Sequence, residues 1–215
     1  MTGFAKIAAA AALLGGLAAC GNEGQGVFTQ TLQQVVGDRV ARSQAPAQPA
    51  APARSDAERA AEALRVNPAP LIQVGFETLG QTQVMAMVGQ NGAMRTYMTP
   101  SEEALILRGG MLIGTRGLGR DLSVAEPGTE ALIRAGQSGQ GTRVMRYLQG
   151  DGLERPLQFA CTVAPGPQAG LMVESCQGHG TSFQNSYAVQ AGQIPVSRQW
   201  VGPGMGYVTI MTLRP

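Results

Sequence analysis

Three cysteines, a single histidine and a glycine-rich arginine loop are the groups in this 215-residue chain with the most chemistry to offer. Cys20 closes the string Leu17-Ala18-Ala19-Cys20. Small residues there let a signal peptidase approach the backbone, and a thiol at the cut can accept diacylglycerol. Upstream lie a short n-region with one positive side chain, Met1–Lys6, and an apolar run, Ile7–Leu17, too short to stay as a bilayer-spanning helix. The expectation is a lipoprotein signal peptide over residues 1–19. Cys20 then becomes the first residue of the mature chain and carries acyl chains such as palmitate. Each buried CH₂ contributes about 0.8 kcal/mol, so more than one chain gives stable anchoring. Gly21 follows, with no aspartate to favour inner-membrane retention. The expected address is the periplasmic face of the outer membrane.

Cys161 and Cys176 suit that oxidising compartment and leave no odd thiol once Cys20 is lipidated. Between them, Pro165-Gly166-Pro167 and Ala169-Gly170 form the centre of a turn. An antiparallel hairpin folded there sets the two cysteines nearly opposite each other, as a cross-strand disulfide requires. Closing a loop of about 15 residues contributes on the order of 3 kcal/mol in the chain-entropy account. The spacing is not C-x-x-C, which favours a structural bridge over a redox pair or two reduced core thiols.

Most enzyme classes lack their parts here. His179 is the only histidine, so no two- or three-histidine metal set can form, and no metal site or cofactor is expected. Lys6 is the only lysine, which removes Schiff-base and phosphate-loop lysine chemistry. GxSxG, Walker A and GxGxxG are absent. Carboxylates are scattered, and aromatic residues make up only 5% of the chain, few for a sugar-cleaving cleft. The net charge of +2 is not gathered into a basic block, so nucleic acid is not an expected partner. The chain is read as a non-enzyme.

Four residues stand out for binding. Arg116, Arg120 and Asp121 lie in Thr115-Arg-Gly-Leu-Gly-Arg-Asp-Leu122, where an arginine fork suits a carboxylate or phosphate. The alternative is a loop folded on itself, with Asp121 holding an arginine. Trp200 is the single tryptophan, read either as a packing anchor or as a carbohydrate platform. His179, between Gly178 and Gly180, reads as a turn residue serving local hydrogen bonds. Met85, Met87, Met94, Met98 and Met111 read as core filling, with a soft docking surface as the alternative.

The elements that must position these groups are short. Val27–Arg42 has apolar residues near one helical face, and residues 43–55 form a Pro/Ala-rich linker. Asp56–Arg65 predicts a helix capped by Ser55 and ended at Asn67-Pro68. From Pro70 onward, short strands recur with glycine between them. Asn91-Gly92 predicts a type I′ hairpin and Gly109-Gly110 another, with Glu103 facing Arg116. Thr129–Arg134 predicts a helical turn, and six further strands run from Thr142 to Leu213. The fold class is mainly β, an antiparallel sandwich or partly open barrel with one or two N-terminal helices. The domain expectation is a signal peptide (1–19), a lipidated tether (20–69) and a β domain (70–215).

Three strings together resemble the YjbF/GfcB lipoproteins of group 4 capsule and exopolysaccharide operons. They are LRGGMLIGTRGLGRDL (107–122), VESC (173–176) and TSFQNSYAVQAGQIPVSRQWVGPGMGYVTIMTLRP (181–215). The resemblance spans Leu71–Pro215. One departure is Ala188, where the family commonly has an aromatic after the tyrosine. The resemblance implies a β-rich periplasmic lipoprotein of a family with no established catalytic residues, so no catalytic role carries over. It would work in polysaccharide secretion beside an outer-membrane β-barrel and small periplasmic export proteins. The alternative is a module gripping an acidic polysaccharide through Arg116, Arg120 and Trp200. A third reading is a polysaccharide-modifying enzyme, which needs a cleft holding two carboxylates.

Overall fold

Side-chain alternation decides most of the structure. A computed structural model describes residues 54–148 and 153–215; the lipobox with Cys20, the expected helix over Val27–Arg42 and most of the linker lie outside them. Helix α1 (Asp56–Val66) starts at a capping box in which the Ser55 hydroxyl accepts from the Glu58 amide and Glu58 accepts from the Ser55 amide. It ends at Asn67, whose extended backbone precedes Pro68. Arg214, at the far end of the chain, donates to the carbonyls of Leu64, Asn67 and Ala69 and so caps the C-terminus of α1.

The strands follow in chain order as β1 (Leu71–Phe76), β2 (Gln81–Asn91), β3 (Met94–Met98), β4 (Ala104–Arg108), β5 (Met111–Arg116) and β6 (Leu122–Pro127). After helix α2 (Glu130–Ala135) come β7 (Gly139–Leu148), β8 (Glu154–Pro165), β9 (Leu171–Gly178), β10 (Thr181–Gln190), β11 (Gln193–Gly202) and β12 (Gly206–Arg214). They form one antiparallel sheet ordered β5-β4-β3-β2-β1-β12-β11-β10-β9-β8-β7-β6, which curls into a nearly closed barrel. Two meanders, β1–β5 and β6–β12, are joined by the pairing of the first strand with the last. Among the expected forms, the partly open barrel is the one adopted.

The two edge strands, β5 and β6, are consecutive in the chain and lie side by side. Arg116 donates to the Leu122 carbonyl across this seam at 3.3 Å. A Cβ on Gly114 would stand 3.2 Å from the carbonyl oxygens of both Leu122 and Ser123, so the absence of a side chain permits the close approach.

Inward-facing residues alternate along each strand, for example Phe159, Cys161 and Val163 on β8 and Met172, Glu174 and Cys176 on β9. The larger core cluster contains Phe76, Met85, Leu105, Tyr147, Phe159, Phe183, Trp200 and Ile210. A smaller one contains Met111, Ile133, Met172, Tyr187 and Ile194, with Ile133 contributed by α2. Arg134 ties α2 to two hairpins, donating to the carbonyls of Gly109 and Gly192.

Three local expectations need correction. The β2–β3 loop is Gly92-Ala93, one residue later than Asn91-Gly92. Of those two residues only Gly92 has positive φ (57°), so the turn is not type I′. A bulge between Met87 and Gly89 shifts the register by that residue. Gly109-Gly110 does form the expected two-residue turn, with φ 52° and 88°. Glu103 does not face Arg116: Ala104 does, and Glu103 accepts from Gln83. Strand β6 was not expected, because its prolyl end and polar residues mask the alternation that places Leu122, Ala125 and Pro127 inside.

Candidate functional site

The arginine loop is organised by its aspartate. Asp121 accepts from the Thr115 hydroxyl (2.9 Å) and from the amides of Gly117 (2.8 Å) and Leu118 (3.1 Å). Thr115 in turn accepts the Leu122 amide. Arg116 bends back onto the Thr115 and Leu122 carbonyls. Arg120 is exposed and pairs with no carboxylate among the described residues. The loop thus brings Arg116, Arg120 and Asp121 together, with Asp121 and Arg116 used to shape it.

Trp200 belongs to the larger core cluster, against which Leu118 of that loop also packs. It is 8% exposed, and its ring stacks on Phe183 at 4.3 Å between centroids, with Phe159 edge-on at 6.0 Å. The five methionines divide between core and half-buried positions, Met85 and Met111 being fully enclosed. His179 occupies the β9–β10 turn with φ 51°, its Nε2 accepting the Gln158 amide at 3.2 Å and its ring edge-on to Phe159.

A buried polar cluster escaped the sequence reading. Arg143 on β7 reaches over β8 to Glu174 on β9 (2.8 Å), with side-chain exposures of 3% and 0%. Thr129, Asn185 and Tyr187 also donate to that carboxylate, and Arg143 donates to the Tyr187 oxygen. Burial alone would push the Glu174 carboxyl up; Arg143 and the donated hydrogen bonds outweigh it and hold the group below the usual carboxylate range. Burial pushes the Tyr187 phenol well up, so it stays protonated and donates. The alternation Arg143-Met145-Tyr147 and Met172-Glu174-Cys176 was the available signal, since each charge shares a face with apolar residues.

Cys161 and Cys176 sit opposite each other on β8 and β9 and form a disulfide. With Glu174 they place three ligand-type atoms within 4.8 Å of one another. The sulfurs are bonded to each other, though, and the carboxylate is spoken for by four donors.

On the solvent side of those strands lies a groove of about 740 Å³. Gln140, Ala160, Thr162, Ser175, Gln177, Ser182 and Gln184 line it, and Tyr207 bounds it. A second hollow of about 400 Å³ lies where β2–β6 meet, walled by Met94, Ile106, Ile113, Arg116 and the buried, unpartnered hydroxyl of Ser123. Neither contains a carboxylate.

The family model described as group 4 capsule polysaccharide lipoprotein GfcB, YjbF matches residues 29–213. The chain belongs to the YjbF family. Among solved structures it is similar to the hypothetical lipoprotein YmcC from Escherichia coli (K12), at TM-score 0.58 and 17% identity, over 77% of this chain and 98% of that one. At that identity the likeness concerns the fold. No match was found among curated proteins. Membership of the YjbF family makes this a lipoprotein linked to capsule polysaccharide and agrees with the resemblance carried by residues 107–122, 173–176 and 181–215.

Proposed function

We propose that this YjbF-family chain is a non-enzymatic accessory of capsule or exopolysaccharide export, held at the periplasmic face of the outer membrane by acyl chains on Cys20. The observation that carries the reading is the family match over residues 29–213, directly downstream of Leu17-Ala18-Ala19-Cys20. Signal peptide, tether and β domain divide at residues 19 and 69 in this reading. The barrel interior supports a positional role: side chains fill it, and its carboxylate is locked in an ion pair. Lipid anchoring raises the effective concentration at a membrane partner, so weak contacts suffice. The partners are then an outer-membrane β-barrel and periplasmic export proteins.

A second reading, grip on an acidic polymer, draws on Arg120, which is exposed and has no carboxylate partner among the described residues; Arg116 is also exposed and bonds only to backbone carbonyls.

The test is genetic and chemical together. Deletion removes secreted polymer, Cys20→Ala fails to restore it, and mass spectrometry finds an acylated amino terminus. An unmodified, cleanly cut terminus, or full export from the Cys20→Ala form, overturns the anchored reading.

A further inference from the structure

The groove over β7–β10 has an order that its lining alone does not convey. Gln140 pairs with Thr162, Thr162 with Ser175, and Ser175 with Gln184. The four form one straight row, one side chain from each of four neighbouring strands, all exposed. A parallel row beside it runs Thr142, Ala160, Gln177, Ser182 through the same pairings. Seven of these eight side chains are amides or hydroxyls. None of the described residues that line the groove carries a charge.

Amides and hydroxyls are donors and acceptors at once, which matches sugar hydroxyls. The absence of charge gives no purchase on uronate, phosphate or sulfate. Adjacent strands are about 4.8 Å apart, so the row offers a polar group at intervals comparable to the length one pyranose adds to an extended chain, over about 14 Å from β7 to β10. The disulfide Cys161–Cys176 fixes the two central strands, because its half-cystines adjoin Thr162 and Ser175. At the β10 side, Tyr207 closes the row by accepting the backbone N–H of Gln184.

We propose that this groove binds an extended, uncharged segment of polysaccharide, running across the strands with successive sugars on Gln140, Thr162, Ser175 and Gln184. The proposal rests on the polysaccharide-export reading above and names the polymer class and the face that meets it.

The probe is polysaccharide secreted by the native host, cut to oligosaccharides and separated by anion exchange into neutral and acidic fractions. Each is titrated calorimetrically into the full-length protein. The neutral fraction is expected to bind, with affinity rising until about four sugars span the row and then levelling. The Gln140→Ala/Thr162→Ala/Ser175→Ala/Gln184→Ala variant is expected to bind at least about tenfold more weakly with an unchanged circular dichroism spectrum and Tm. Ser175→Arg, a single exposed change that obstructs the row, provides a second loss-of-binding variant. Binding confined to the acidic fraction, equal binding by the variants, or no binding of either fraction overturns the proposal. Export in cells separates the two readings. A quadruple variant that exports normally where the deletion does not ends the groove proposal and leaves the export role standing. A deletion that exports normally ends the export role, whatever the calorimetry shows.

Discussion

The phenol oxygen of Tyr207 on β12 reaches past β11 and accepts the backbone amide of Gln184 on β10 at 3.1 Å. The two strands it bridges are not neighbours. Regular β10–β11 pairing runs from Gln190 only as far as Ser186 with Arg198, and beyond that point the strands part. Two side chains mend the opening: Tyr207, and Asn185, whose Oδ1 accepts the Trp200 amide at 2.7 Å. Arg198 holds the Tyr207 ring in place, with its guanidinium carbon 3.5 Å from the ring centroid and its Nε and Nη2 donating to the Glu77 carboxylate.

The two mends are unequal. Gln184 is exposed, so water replaces the phenol in Tyr207→Phe, and the expected loss is about 0.5–1.5 kcal/mol. Asn185 is 1% exposed and serves both Trp200 and Glu174. Asn185→Ala is expected to cost more, about 1–3 kcal/mol for each group left unpaired. Urea unfolding followed by the fluorescence of Trp200, the only tryptophan, measures both.

The Arg143–Glu174 pair makes stability fall in acid. The folded-state pKa of Glu174 lies below its unfolded value, so the contribution is complete above the ordinary carboxylate range and disappears as pH drops through the depressed value. Unfolding free energy is expected to decline from about pH 4.5 downward, and less steeply in Glu174→Gln. That variant strands a buried guanidinium and is expected to lose about 3–5 kcal/mol at neutral pH. Arg143→Met/Glu174→Leu is expected to be more stable than either single change predicts by addition, which a double-mutant cycle reads directly.

Glycine at the β4–β5 turn is required for two reasons. Gly110 has φ 88°, and a Cβ there would lie 2.4 Å from the Ile194 carbonyl oxygen. Gly92 has φ 57° with open space around it. Gly92→Ala is expected to cost about 1–2 kcal/mol, the left-handed backbone penalty alone. Gly110→Ala is expected to cost clearly more, since backbone must move. Thermal unfolding of the two variants side by side tests the ranking.

Reduction of Cys161–Cys176 is expected to cost about 3 kcal/mol in the chain-entropy account of a 15-residue separation. Cys161→Ala/Cys176→Ala, measured by urea unfolding with and without reductant, is expected to be insensitive to reductant where the native chain is not.

What could be read in advance divides along physical lines. Ser55 as a cap, Asn67-Pro68 as a stop, Gly109-Gly110 as a turn and the disulfide all rest on residues close in sequence, whose geometry needs no knowledge of the remainder. The Ala191-Gly192 turn was harder, because Ala rarely accepts positive φ and signals nothing by type, whereas His179-Gly180 was legible from the glycines on either side of the histidine. The Arg143–Glu174 pair and the Gln140–Thr162–Ser175–Gln184 row depend on register across three or more strands, which a linear pattern does not supply. Trp200 had two readings, and the stacked contact with Phe183 in the core, which favours the packing anchor, depends on tertiary neighbours that the sequence does not name.

The pairing of β1 with β12 bears on how the chain matures. Residues 71–76 emerge early in synthesis and must wait for residues 206–214 before their second neighbour exists. Each meander can assemble by itself as it is delivered, but the cylinder completes only when the last segment arrives. Such long-range closure is slow compared with hairpin formation. Loss of Gly206–Arg214 therefore removes the molecule's central join and leaves two unfinished halves, each with a sticky edge for chaperones and proteases to find.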